Sequence, residues 1–193
     1  MIHMAQNKSN IRFEVLLALI SQSSHGRAIA RFLQKPHATI QRALHELMAD
    51  NIIDSRLEGK NKVYCLRNNV QAKSSVYAAE MYKLAKAVKT HPSLGVIFEE
   101  VQKKVPKGMI VLFGSYAKGT SRKESDIDLF IEANDVKIKK KLENDYSQLK
   151  VKLGKFDKSS LLIKEIIKNH VIIRGIEEFY EKRKFFEEAL ETR

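Results

Sequence analysis

Apolar residues recur along this chain at two spacings, and each predicts its own kind of element. From Asn10 to Ser21, Phe13, Leu16, Leu17 and Ile20 fall on one helical stripe, with Ser9 or Asn10 as its cap. Residues 1–8 before it are polar and read as a loose end. Ser21-Gln22-Ser23-Ser24 is a polar break. A short helix over His25–Gln34 turns Ile29, Phe32 and Leu33 inward. Pro36 marks a turn and suits the first turn of the next helix, His37–Asp50, which carries Ile40, Leu44 and Leu47 at helical spacing. Ile52–Leu57 and Lys62–Leu66 are strand-like, with Glu58-Gly59-Lys60-Asn61 as a hairpin turn. Asn68–Ser75 reads as a polar connector. Ser74 or Ser75 then caps a long helix that buries Val76, Tyr77, Met81, Leu84 and Val88. Pro92 ends that helix or starts another, in which Ile97, Val101 and Val105 extend the pattern to Pro106.

The second half alternates strands with helices. Met109–Phe113 is an apolar run long enough for one buried strand, and it stops at Gly114-Ser115. A short helix follows until Gly119, then polar residues, then a second strand, Ile127–Ile131. Val136–Asp145 reads as a basic helix. Tyr146–Phe156 reads as a third strand, in which Leu149, Val151 and Leu153 alternate with Lys150, Lys152 and Gly154. A helix over Leu161–Lys168, an apolar segment over His170–Ile173, a break at Gly175 and a last helix over Glu177–Leu190 complete the chain. The pattern predicts an α+β protein with domains at 1–70 and 108–193, joined by a helical connector at 71–107.

The candidate chemistry lies between Met109 and Glu132. Asp126 and Asp128 flank Ile127, and on a strand residues i and i+2 share a face. Two carboxylates held side by side repel unless a cation sits between them. Oxygen ligands suit Mg²⁺, which takes one or two carboxylates and fills its shell with substrate phosphates. Ser115, near the N-terminus of the short helix, stands where free backbone N–H groups suit a phosphate.

Gly114-Ser115, Gly119 and Ser125-Asp126-Ile127-Asp128-Leu129 at this spacing resemble the signature of polymerase-beta-type nucleotidyltransferases, most closely their minimal branch. The segment from Glu165 to Gly175, and the Glu-Glu-Phe-Tyr after Ile176, resemble the end of such domains. The resemblance implies transfer of a nucleoside monophosphate from ATP or another nucleoside triphosphate, with Mg²⁺ or Mn²⁺. It makes Asp126 and Asp128 the catalytic metal ligands. It gives the triphosphate to Gly114 and Ser115, with help from Lys118, Arg122 or Lys123. Minimal domains of this kind often modify a toxin-like partner, so a protein acceptor is implied. The family also supplies a third carboxylate from the next strand. Here the interior of 146–156 has none; Lys150 and Lys152 hold the alternating positions, and Asp145 and Asp157 lie only at the ends. A degenerate domain that only binds nucleotide or metal therefore stays open beside a working transferase. An RNA nucleotide-adding enzyme fits less well, because long RNA-binding regions are missing.

Three helices and a hairpin follow the winged helix-turn-helix order, and residues 26–53 resemble winged-helix transcription regulators. A third helix lying in a major groove would read bases with its outer face: His37, Thr39, Gln41, Arg42 and His45. Arg56, Lys60 and Lys62 on the hairpin suit phosphate contact. Charge agrees with this. The chain carries +12, and its first 70 residues hold ten Lys and Arg against five Asp and Glu. An acidic partner, DNA above all, is expected. The helices between the domains are also suited to packing against a second copy. The single cysteine, Cys65, excludes an internal disulfide and reads as core. No apolar run approaches membrane length and no secretory signal opens the chain, which makes the cytoplasm the expected compartment.

Overall fold

The computed structural model describes residues 2–21 and 24–187, with side chains from Asn10 onward. The chain divides into two compact units: residues up to Tyr82 together with those from Lys184, and Lys83–Arg183. Among the described residues no helix is long and apolar enough to cross a membrane.

In the first unit, helix α1 runs from Ile2 to Ser21. The expected loose end at 1–8 is thus helical from Ile2, since no Pro or Gly interrupts it. Its inward face is wider than the predicted stripe: Val15 and Leu19 are buried with Leu16 and Ile20. The break expected at Gln22-Ser23 lies outside the described residues. Strand β1 (Ser24–His25) leads directly into α2 (Gly26–Phe32), then α3 (His37–Ala49), then a hairpin of β2 (Ile53–Glu58) and β3 (Asn61–Leu66). Pro36 precedes α3 as its N-cap residue rather than entering its first turn. The three strands form an antiparallel sheet in the order β1-β3-β2. Ile40, Leu44 and Leu47 of α3 are fully buried, as their spacing predicts, and each such side chain contributes about 1.5–3 kcal/mol. Phe32, expected inward, is instead 72% exposed as the last residue of α2. Cys65, expected in the core, is only half-buried on β3.

Helix α4 (Val70–Thr90) starts earlier than predicted, and the supposed connector 68–75 is mostly its first turn. Asn69 supplies the reason. Its Oδ1 accepts from the Ala72 N–H at 2.8 Å, so it caps the helix in place of Ser74 or Ser75. Ala72, Val76 and Ala79 form the buried stripe, which leaves Met81 exposed.

In the second unit, Pro92 opens α5 (Pro92–Lys104), where its missing N–H costs nothing. Then come β4 (Ile110–Phe113), α6 (Gly114–Lys118), β5 (Ile127–Ile131), α7 (Val136–Asp145), β6 (Leu149–Leu153), α8 (Leu161–Lys168), β7 (Val171–Arg174) and α9 (Ile176–Arg183). The last helix, predicted as one piece over Glu177–Leu190, stops at Arg183, because Lys184 turns the chain at a φ of 55°; of the rest, 188–190 lies outside the described residues. The sheet runs β6-β5-β4-β7. It is mixed: β4 pairs antiparallel with both β5 and β7, whereas β5 and β6 are parallel, with α7 as the crossover between them. One face buries Ile110, Leu112, Ile127, Leu129, Ile131, Leu149 and Val151 against Leu94, Phe98, Val101 and Val105 from α5 and its end, and Leu142 from α7. Helix α5, predicted as a connector, is therefore core. On the other face Val111, Phe130 and Ile172 are also buried, while Asp128 remains half-exposed at the end of β5.

Candidate functional site

The site is built where β4 ends. Phe113 leaves the strand and the chain turns at once into α6 through Gly114, whose φ is +70°. Beside it, β5 pairs Asp128 with Phe113. A Cβ on residue 114 would lie 2.2 Å from Asp128 Oδ2, so only glycine leaves the carboxylate its place. Helix α6 stops at Gly119 in the left-handed conformation, as its sequence predicts. A tight turn then aims Asp126. The Arg122 N–H donates to Ser125 Oγ at 2.8 Å, and the Ser125 N–H donates to the Arg122 carbonyl at 3.0 Å. Asp126 is exposed and Asp128 half-exposed.

The electrostatics follow from this crowding. Burial pushes the Asp128 carboxyl above its ordinary value, and the Asp126 charge adds to the rise. Lys152 pulls it down, more strongly than Lys118 does, while Glu165 pushes it up. The charge of Asp126 therefore disfavours the charged form of Asp128, a tension that a cation between them would relieve. Among the described residues no three His, Cys, Asp or Glu side chains are grouped to hold a metal. The donor set fits one hard cation on two carboxylates, completed by substrate oxygens. It does not fit a pair of ions, which would need a further anionic ligand.

The other predicted residues divide. Ser115 is half-buried, and its carbonyl accepts from the Thr120 N–H at 3.0 Å. Lys118 is tied to Glu165 on α8, Nζ to Oε1 at 2.7 Å. Arg122 and Lys123 are exposed. Glu165 was not foreseen as a neighbour of the aspartates. It lies far along the chain, and only the packing of α8 beside β4 brings its charge to bear on Asp128.

In the first unit, His37, Arg42 and His45 are exposed on α3 and Thr39 is half-buried. Gln41 is engaged locally. Its Nε2 lies 3.1 Å from His37 Nε2, and its Oε1 is 3.5 Å from the Tyr64 hydroxyl. Arg56 pairs with Glu58 at 2.8 Å, and Lys62 Nζ stands 5.6 Å above the Tyr64 ring. Lys60 is exposed in the hairpin loop.

An α+β unit with a mixed sheet, a Gly-Ser turn after one strand and an Asp-x-Asp on its neighbour is consistent with a polymerase-beta-like nucleotidyltransferase fold. The family described as Nucleotidyltransferase domain matches residues 94–191, and the chain belongs to it. It is similar to a Methanocaldococcus jannaschii protein named "Putative protein adenylyltransferase MJ1547". The two are 40% identical over an 89-residue alignment covering 40% of this chain and 67% of that protein. Among solved structures, a chain of "Crystal structure of the toxin-antitoxin with AMP-PNP" is 21% identical. The match covers 50% of this chain and 83% of that one at a TM-score of 0.36, below the level that marks a shared fold.

Proposed function

We propose that the second unit transfers a nucleoside monophosphate, AMP in the first instance, from a metal-bound nucleoside triphosphate to a hydroxyl of a partner protein. The observation that carries this reading is the Asp126–Asp128 pair set against Gly114, in a chain of the nucleotidyltransferase family. The name of the Methanocaldococcus jannaschii relative supports a protein acceptor and an adenylyl group. Asp126 and Asp128 hold the divalent cation, Mg²⁺ or Mn²⁺, which when bound neutralises phosphate charge. Gly114 and Ser115 receive the triphosphate. Arg122 and Lys123 are exposed, and Lys118 must leave Glu165 to reach the triphosphate. The acceptor oxygen bonds to the α-phosphorus, the bond from that phosphorus to the bridging oxygen breaks, and pyrophosphate leaves. The hydroxyl proton passes to solvent. Most of the protein's contribution is positioning and charge neutralisation. Incubating the protein with ATP labelled at the α-phosphate, Mg²⁺ and lysate of the source organism tests this. Label on a discrete protein, lost with Asp126→Ala/Asp128→Ala, is expected. Nucleotide binding without any transfer would leave a binding domain only.

We also propose that the first unit is a winged helix that binds DNA. The supporting observation is three helices followed by an antiparallel hairpin, with Arg42, Lys60 and Lys62 exposed. Fluorescent duplex DNA titrated at increasing salt tests it. Affinity should fall linearly on logarithmic axes, and Lys60→Ala/Lys62→Ala should flatten the slope by about 2, roughly one for each lost phosphate contact. Unchanged affinity in that variant, or no binding at low salt, removes the reading.

A further inference from the structure

We propose that Gln41 sets the tautomer of His37 instead of reading DNA itself, and that the His37 Nδ1–H is the donor α3 offers to a base edge. The proposal rests on the winged-helix reading of the first unit. Both residues lie on one face of α3, a turn apart, and His37 is its first residue. In a helix lying in the major groove, the N-terminal residues meet the base edges. His37 is exposed, whereas Gln41 is half-buried. Three neighbours fix the Gln41 amide. Its Oε1 accepts from the hydroxyl of Tyr64, a buried residue of β3, at 3.5 Å. Its Nε2 lies 3.1 Å from His37 Nε2. Gly26, the first residue of α2, stands against the same nitrogen: a Cβ there would come within 2.3 Å of it. The φ of Gly26 is negative, so the backbone does not require glycine at this position; the room taken by the Gln41 amide does.

The chemistry of the two side chains then decides the proton. An amide nitrogen only donates, so His37 Nε2 accepts. In a neutral imidazole the proton therefore sits on Nδ1. Among the described residues nothing bonds that nitrogen. The exposed ring thus offers one N–H, and what it recognises is a hydrogen-bond acceptor. Guanine presents two in the major groove, N7 and O6, whereas cytosine presents only a donor. Helix α3 accordingly asks for guanine over cytosine where His37 lies. Gln41, tied through both amide atoms, is not available for the bidentate contact with adenine that its residue type suggests.

Two measurements on the full chain test this. Long-range proton–nitrogen NMR, at a pH where the ring is neutral, reads the His37 tautomer without DNA. The Nδ1–H form is expected in the wild type. A mixture of tautomers is expected in Gln41→Met, which keeps the length of the side chain and lacks the donor, and in Gly26→Ala, which displaces the amide. Selection from a duplex library randomised over one helical turn, read by sequencing, gives the base preferences. The wild type should favour guanine over cytosine at one base pair by about tenfold. His37→Ala and Gln41→Met should each lose that preference, and the double variant should lose no more than either alone. The salt slope should stay unchanged in all of them, because the phosphate contacts are untouched. An Nε2–H ring in the wild type would overturn the proposal and leave DNA binding standing. So would loss of preference by Gln41→Met at a different base pair from His37→Ala, since Gln41 would then read a base itself. No duplex binding at low salt overturns the winged-helix reading and the proposal with it, so the two failures are distinct.

Discussion

Gly114 and Asp128 occupy one another's space: the position a Cβ would take on residue 114 is 2.2 Å from the Asp128 carboxylate oxygen. Two separate demands meet at this glycine, a positive φ of 70° and the absence of a side chain. Gly114→Ala therefore strains the backbone by about 1–2 kcal/mol and pushes Asp128 aside as well. Gly119 separates the two effects. It has a φ of 69° but nothing within 4 Å of its missing Cβ. In urea unfolding Gly119→Ala should lose only the stability that backbone strain removes, and Gly114→Ala should lose more. Only Gly114→Ala should also weaken Mg²⁺-dependent nucleotide binding, by about tenfold or more. Equal binding by the two variants would mean that the contact with Asp128 has no functional weight.

Asp128 predicts a pH dependence of definite sign. Its folded carboxyl titrates above the ordinary value, so the folded chain holds that proton more tightly than the unfolded one. Any stability linked to this group is present below the unfolded value and is lost as pH rises through the folded one. At neutral pH the charged Asp128 thus costs stability. Asp128→Asn should raise the melting temperature at about pH 7, and the gain should vanish below about pH 3, where the unfolded group is protonated too. Metal affinity should behave in the opposite sense. It needs the carboxylate, so Mn²⁺ binding should decline at a higher pH than an ordinary aspartate would give. Thermal scans and Mn²⁺ titrations across pH check both halves. A variant less stable than wild type at neutral pH would remove the argument.

The parts of this arrangement legible in the sequence were the local ones. Ile127–Ile131 lies where its apolar run puts it, between Asp126 and Glu132, and Val136–Asp145 where its helical spacing puts it, capped by Asp135. The stop at Gly119 was equally local. The misplaced elements depended on neighbours that spacing does not reveal. Asn69 looked like connector because its role is a single bond to Ala72. Helix α5 looked like a linker because the sheet it covers begins only at Ile110. The third strand was drawn too long, since Asp145 ends a helix and Tyr146 packs beside that core rather than in the sheet. Glu165 reached the site from a helix far along the chain, and no pattern within a few residues of it could announce that.

The ion pair between Lys118 and Glu165 is a restraint on a candidate ligand rather than a support for the fold. Both side chains are close to half-exposed, at 40% and 44%, and such pairs contribute about 0–1 kcal/mol. Glu165→Gln should therefore change stability by less than about 1 kcal/mol. It should free Lys118 for the triphosphate and lower the negative charge beside Asp128. Nucleotide affinity should rise about two- to fivefold at low salt, and the gain should shrink as salt increases. Calorimetric titration of nucleotide with Mg²⁺ measures it. A large loss of affinity would instead show that Glu165 itself is needed by the ligand.

Asn69 offers a test of how α4 is fixed, independent of any ligand. Its two amide atoms serve two elements. Oδ1 accepts from the Ala72 N–H, and Nδ2 donates to the Asn51 carbonyl, each at 2.8 Å. Asn51 itself stands in the left-handed region at φ 60°, in the turn before β2, so the second bond steadies a turn of uncommon geometry. Asn69→Ala removes both bonds and should cost about 1–2 kcal/mol. Asn69→Asp keeps the cap, and its charge favours the helix N-terminus, but it loses the bond to Asn51. Its stability should lie between those of the wild type and the Ala variant. Urea unfolding of the three proteins gives the order. If Asp and Ala are equally destabilised, the bond to the Asn51 turn carries the effect; if Asp matches the wild type, the cap alone does.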